Sequence, residues 1–200
     1  PMPFERSLRL AYSRTFYGTG YYIYHLYDPG AKLSQPIKTW DGQTPPAPEV
    51  LDLISRAGTD LVPKASGIAR ETGNYVLEKE PIGLGAIPDG KPGTIRGLQL
   101  SVPRQDAIRF GKCRLRITWD NRPAASVDAP IALFFGTGTL YNRDNREYLV
   151  KGFPLYIRYE ADRVNLSCFY PMPFFKSAKI ELLGNTGEPI QVQTVLQWQP

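Results

Sequence analysis

Polar and apolar residues alternate with a period of two along much of the second half of the chain. Cys113, Leu115, Ile117 and Trp119 interleave with Lys112, Arg114, Arg116 and Thr118, and Val192, Thr194, Leu196 and Trp198 interleave with a series of glutamines. That period puts one set on a buried face and the other on a solvated one, the signature of half-buried strands. The pattern predicts strands over residues 94–102, 113–119, 126–135, 153–159, 163–170, 177–183 and 190–198. Asp120-Asn121-Arg122-Pro123 reads as a turn, and Glu160-Ala161-Asp162 joins two strands as a hairpin. Successive short strands with no helical segment between them predict an all-β fold, an antiparallel jelly-roll β-sandwich.

The first half is less regular. Residues 7–12 and 21–27 are strand candidates separated by Gly18-Thr19-Gly20, and Asp28-Pro29-Gly30 ends the second. Thr44 and Pro45 read as the cap and first position of a short helix continuing over residues 49–57. Val50, Leu51, Ile54 and Ala57 share its face, and Gly58 stops it. Residues 75–80 read as an edge strand ended by Pro81, and Pro88-Asp89-Gly90 and Pro92-Gly93 are turn chemistry. These readings divide the chain into residues 1–30, the last strands of a preceding jelly roll; residues 31–93, a connector with one short helix; and residues 94–200, a second jelly roll.

The first of those assignments rests on a repeat. Pro1-Met2-Pro3-Phe4-Glu5-Arg6-Ser7 recurs as Pro171-Met172-Pro173-Phe174-Phe175-Lys176-Ser177, and each copy leads into an alternating segment. Prolines on either side of a Met force extended backbone, and the following Phe anchors a corner. A corner recurring this far apart implies two similar sandwiches in tandem. The abrupt start at Pro1 itself reads like the middle of a protein.

Composition narrows the chemistry. With 18 glycines, 19 prolines and 12 tyrosines, turns and strands are favoured over long helices. One histidine, His25, and two cysteines, Cys113 and Cys168, cannot assemble a four-ligand zinc site, so no metal and no cofactor is expected. His25 reads as a packing residue in a tyrosine-rich strand, and the cysteines as buried thiols. No apolar run approaches ~18 residues and no secretory leader pattern is present, so a soluble chain with no membrane partner is expected, its compartment unknown. The net charge of +5 peaks between Arg104 and Arg122. A phosphate-binding strip would use such a stretch, but its alternation fits a solvated strand face better, and no nucleic-acid motif accompanies it.

The run Arg114-Leu115-Arg116-Ile117-Thr118-Trp119-Asp120, then Val127-Asp128-Ala129-Pro130, then Phe134-Phe135-Gly136, then residues 168–180 with their Pro-Met-Pro-Phe corner, resembles the domain-of-unknown-function family 2961, part of which is glycoside hydrolase family 172. The resemblance implies a double jelly-roll protomer assembling as trimers or multiples of trimers. It also implies cleavage or transfer of fructofuranosyl or arabinofuranosyl linkages by a retaining mechanism. Such a mechanism uses one carboxylate as nucleophile and another as acid, ~5–5.5 Å apart. By the same resemblance, one glutamate would begin the strand at residues 113–119 and the other would follow a Gly-Thr-Gly-Thr turn. This chain instead has Lys112, Cys113 and Arg114 at the first place, and Leu140 after Gly136-Thr137-Gly138-Thr139. Its carboxylates must therefore come from other sequence, a homo-oligomeric neighbour or a companion subunit. Otherwise the chain is a non-catalytic carbohydrate-binding or structural jelly roll.

The richest polar cluster is Tyr141-Asn142-Arg143-Asp144-Asn145-Arg146-Glu147-Tyr148. Rings stack on sugar faces, and guanidinium forks bind hydroxyls. Glu147 and Asp144 are the candidate catalytic pair, and Tyr141, Asn142, Arg143, Arg146 and Tyr148 the candidate carbohydrate-binding residues. A solvated loop with exposed ion pairs is the plainer reading of the same stretch.

Overall fold

The computed structural model describes residues 2–11, 23–85, 87, 89–184 and 187–200. The chain separates into two compact units, Pro1–Val50 and Leu51–Pro200. The first contains no strand among its described residues. Two contacts tie its start to residues far along the chain: Glu5 accepts from Thr39 Oγ1 at 2.9 Å and the Trp40 amide donates to the Pro3 carbonyl at 3.0 Å. The strand expectations over 7–12 and 21–27 are therefore not met where they can be read, at residues 7–11 and 23–27. The remainder of each segment lies outside the described residues. Ile23, Tyr24, Leu26 and Tyr27 are exposed, as is His25, which was expected to pack. A strand needs a neighbour for its amides and carbonyls, and among the described residues these pair with none.

Helix α1 spans Pro48–Ser55 and buries no residue. It begins later than Thr44, because Thr44 is held instead by Asp41, whose Oδ1 accepts its amide (2.6 Å). Gly58, at φ +84, follows the helix as anticipated.

The second unit is an antiparallel β-sandwich, in agreement with the expected fold class. One sheet has the strand order β1(Ala69–Leu77), β11(Ile190–Gln199), β3(Gly93–Pro103), β8(Arg163–Cys168), β7(Leu155–Tyr159), β6(Tyr148–Lys151), with β9(Met172–Phe174) also on β3. The other has the order β2(Ile82–Leu84), β10(Ala178–Leu183), β4(Arg114–Trp119), β5(Val127–Pro130). Inward residues of both sheets form one core that includes Leu98, Leu100, Leu115, Ile117, Leu166 and Ile180. Both strands drawn from residues 69–84 belong to this sandwich, so part of the expected connector is structural sheet. The edge position foreseen for residues 75–80 holds for β1, which begins earlier, at Ala69.

Two further differences have local causes. Residues 126–135 split into β5 and a helical turn, α3(Ile131–Phe134). Ile131, Ala132 and Phe135 are buried while Leu133 is 62% exposed, a helical rather than alternating face. The basic stretch from Arg104 is likewise not one strip. It runs through a 3-10 turn (Arg104–Asp106), α2(Ala107–Lys112) and β4. Asp106 holds Arg109 at 2.5 Å, and Asp128 holds Arg114 at 2.6 Å. Helix α2 escaped the sequence reading because its buried positions, Ala107, Phe110 and Gly111, are few and sit among charges.

The second Pro-Met-Pro-Phe corner forms β9 and an anchored elbow. Phe174 is buried, and Asp120 Oδ1 accepts the amides of Phe175 (2.8 Å), Lys176 (2.7 Å) and Ser177 (3.3 Å). Asp120 and Asn121 take left-handed φ of 55° and 56° to present these groups. In the first copy Met2 is exposed and Phe4 half-buried, with no strand over the described residues 8–11 that follow, so the two copies have unlike surroundings. Cys113 and Cys168 are both buried and not joined in a disulfide. Cys113 Sγ lies 3.6 Å from the Arg109 carbonyl, and burial pushes the Cys168 thiol up.

Candidate functional site

The large sheet turns one face to the core and the other outward. Alternation sends Leu98, Leu100 and Val102 of β3 inward and Gln99 and Ser101 outward. Its neighbours follow suit, with Val164 and Leu166 inward on β8 against Arg163 and Asn165 outward. Register then aligns the outward residues across the whole sheet. Asn74 on β1 pairs with Gln193, Gln193 with Ser101, Ser101 with Asn165, Asn165 with Arg158, and Arg158 with Tyr148. A second row runs beside it: Thr72, Val195, Gln99, Ser167, Tyr156 and Lys151. Between β7 and β11 the two rows floor a cleft of about 390 Å³, with Glu160 and Arg163 also on its lining.

The lining is rich in hydrogen-bonding groups. Arg163 donates through Nε to Ser101 Oγ and through Nη2 to the Ser101 carbonyl, both at 2.8 Å. Gln99 Nε2 donates to Asp60 Oδ2 (3.1 Å) and Gln197 Oε1 (3.3 Å). Arg158 Nη2 pairs with Glu147 at 3.1 Å, but its Nε is buried with no hydrogen-bond partner. A buried donor without an acceptor costs about 1–3 kcal/mol, and it is the exposed remainder of the guanidinium, not this enclosed atom, that an incoming group can meet. Aromatic rings border the same side. Tyr148 and Tyr156 meet edge-on at 6.3 Å, Tyr156 and Phe169 at 5.9 Å, and the Lys151 ammonium sits 4.7 Å over the Tyr148 ring. Gly58 makes room for Tyr148, since a Cβ there would stand 2.9 Å from its ring.

The polar loop expected to carry the site divides. Tyr148 begins β6 and Glu147 pairs with Arg158, so both stand next to a cleft residue without lining the cleft themselves. Asn142, Asp144 and Arg146 are occupied within the loop. Asn142 bonds both the amide and the carbonyl of Arg146, at 3.0 and 2.7 Å, and Arg146 holds Asp144 at 2.8 Å. Tyr141 and Arg143 are exposed. Asp144 and Glu147 are thus held by different arginines, each as an acceptor, an arrangement unlike a nucleophile beside a proton donor.

Of the two places where the resemblance put glutamates, the first has Cys113 in the core between the exposed Lys112 and Arg114, and the second, Leu140, is in the core. Cys113 is 0% and Leu140 1% exposed, and Tyr159 Oη donates to the Leu140 carbonyl. No group of three or more His, Cys, Asp or Glu able to hold a metal occurs among the described residues.

Sequence reading missed Arg158, Asn165, Ser101 and Gln193 as a set. Each lies at a polar position of its own alternating strand, and the glutamines of β11 were the visible part of the signal. Nothing in one sequence gives the register that brings them into line.

These features define the class as an antiparallel β-sandwich with a hydrogen-bonding cleft on the outer face of its large sheet. Residues 86–196, more than half of the 200, match the model of the family described as GH172 domain-like. The chain belongs to that family, and with it to a glycoside hydrolase-like class. No curated protein matches the chain.

Proposed function

We propose that this chain is the sugar-recognising module of a glycoside hydrolase-like protein acting on fructofuranosyl or arabinofuranosyl linkages, with the cleft on the large sheet receiving the carbohydrate. The observation that carries this reading is the cleft itself, in which the part-exposed Arg158 guanidinium stands among the amides and hydroxyls of Gln99, Ser101, Asn165 and Gln193, beside Tyr156. Family membership supplies the reaction class. Glu147 and Asp144 remain the carboxylates of this chain nearest to that role. A catalytic pair completed by other sequence, a trimeric neighbour or a companion subunit accounts for the lack of a glutamate at Lys112-Cys113-Arg114 and at Leu140.

The test is a panel of furanosyl substrates assayed with the complete assembled protein, alongside Arg158→Met and Glu147→Gln. Turnover that Arg158→Met reduces through KM supports the reading. Failure to bind or turn over any furanoside removes it. The absence of a glutamate at Lys112-Cys113-Arg114 and at Leu140 favours a second reading, a non-catalytic carbohydrate-binding or structural module. Binding without turnover in the complete assembly would select it, and hydrolysis abolished by Glu147→Gln would eliminate it.

A further inference from the structure

We infer that the outer face of the large sheet binds an extended oligosaccharide laid across the strands, from Tyr148 at one edge towards Asn74 at the other, rather than a single sugar at the cleft. This rests on the carbohydrate reading above and adds the size and direction of the ligand. The register makes Tyr148, Arg158, Asn165, Ser101, Gln193 and Asn74 one unbroken line. Adjacent strands lie about 4.8 Å apart, so five spacings give roughly 24 Å, room for about four or five sugar units in an extended chain.

The chemistry changes along the line in a way that suits such a ligand. At the Tyr148 end, the part-exposed guanidinium of Arg158 and the ammonium of Lys151, both set against the Tyr148 ring, offer charged hydrogen-bond donors. From Asn165 to Asn74 the line holds only amides and a hydroxyl, groups that both donate and accept, as sugar hydroxyls do. Val195 is the sole aliphatic side chain of the second row, and none of the large exposed apolar residues lies in either row. A protein-docking face would concentrate aromatic and aliphatic anchors at its centre, where this face has Ser101, Asn165 and Gln99.

The experiment is calorimetric titration of the full chain with arabinofuranosyl oligosaccharides of two to six units, and with fructofuranosyl oligosaccharides of the same lengths. The expected result is a Kd that falls several-fold with each added unit and levels off at about four or five. Replacing both Asn74 and Gln193 with Ala, at exposed positions where the fold is retained, should weaken hexasaccharide binding several-fold more than disaccharide binding. Equal affinity for short and long oligomers would overturn the extended site while leaving the carbohydrate reading in place, as would equal losses for both lengths in the double variant. No binding by any oligomer would overturn both.

Discussion

Single side chains set what this sandwich can do. Asp120 is the clearest structural case. Three amide hydrogen bonds, with that from Lys176 foremost, hold its carboxyl below the ordinary carboxylate range. A depressed folded value means that its contribution is present above the unfolded value of about 3.9 and is lost as pH falls through the folded one. Asp120→Asn should therefore flatten the acid limb of a stability-versus-pH curve, measured by chemical denaturation from pH 6 downward. An unaltered slope would show that the elbow does not depend on that charge. Leu140 is the matching functional case. Installing a carboxylate there, at the place the family resemblance indicates, buries an unpaired charge in the core. Leu140→Glu should lower stability by at least about 3 kcal/mol and confer no activity, read by denaturant midpoint and furanoside assay.

At the scale of elements, alternation was legible wherever a strand buries one face. Strands β3, β4, β7, β8, β10 and β11 fall close to where the pattern put them, because Leu, Ile and Val at every second position have one way to reach a core. It failed for α2, α3, β2 and β6, which are short and draw their order from neighbours rather than from their own pattern. Gly58 shows the same dependence from the other side. Its left-handed φ ends a turn, and its missing Cβ admits the Tyr148 ring from β6. Gly58→Ala should cost more than about 1 kcal/mol and displace Tyr148, visible as a changed tyrosine signal near the cleft and weaker sugar binding. In the second elbow, Phe174→Ala removes a buried ring and should cost about 3–5 kcal/mol in equilibrium unfolding. The equivalent change at Phe4, half-buried, should cost much less.

For the whole molecule, one core joins both sheets of Leu51–Pro200, whereas the described residues of the first unit are mostly exposed. Hydrogen exchange should accordingly be slowest in β3, β8 and β11, which have ladder partners on both sides, and fast through residues 23–47. Protection of residues 23–27 equal to that of β8 would contradict this. The repeated corner argued for two like modules, yet its copies stand in unlike surroundings within this chain. The family assignment rests instead on the match over residues 86–196. No helix of the described residues is long and apolar enough to cross a membrane.

By itself, the sequence determined the fold class, the principal strands and their inward faces, because burial of every second side chain is a local property written in the order of residues. It also determined that the family's expected glutamates are absent at two places. Tertiary structure decided the rest. Which outward residues stand side by side depends on pairing between strands as distant as β1 and β11, and on a register that a shift of one residue would reverse. That pairing lines up Arg158, Asn165, Ser101 and Gln193 on a sheet face, whereas Asn142, Asp144 and Arg146 are bonded to one another within their loop.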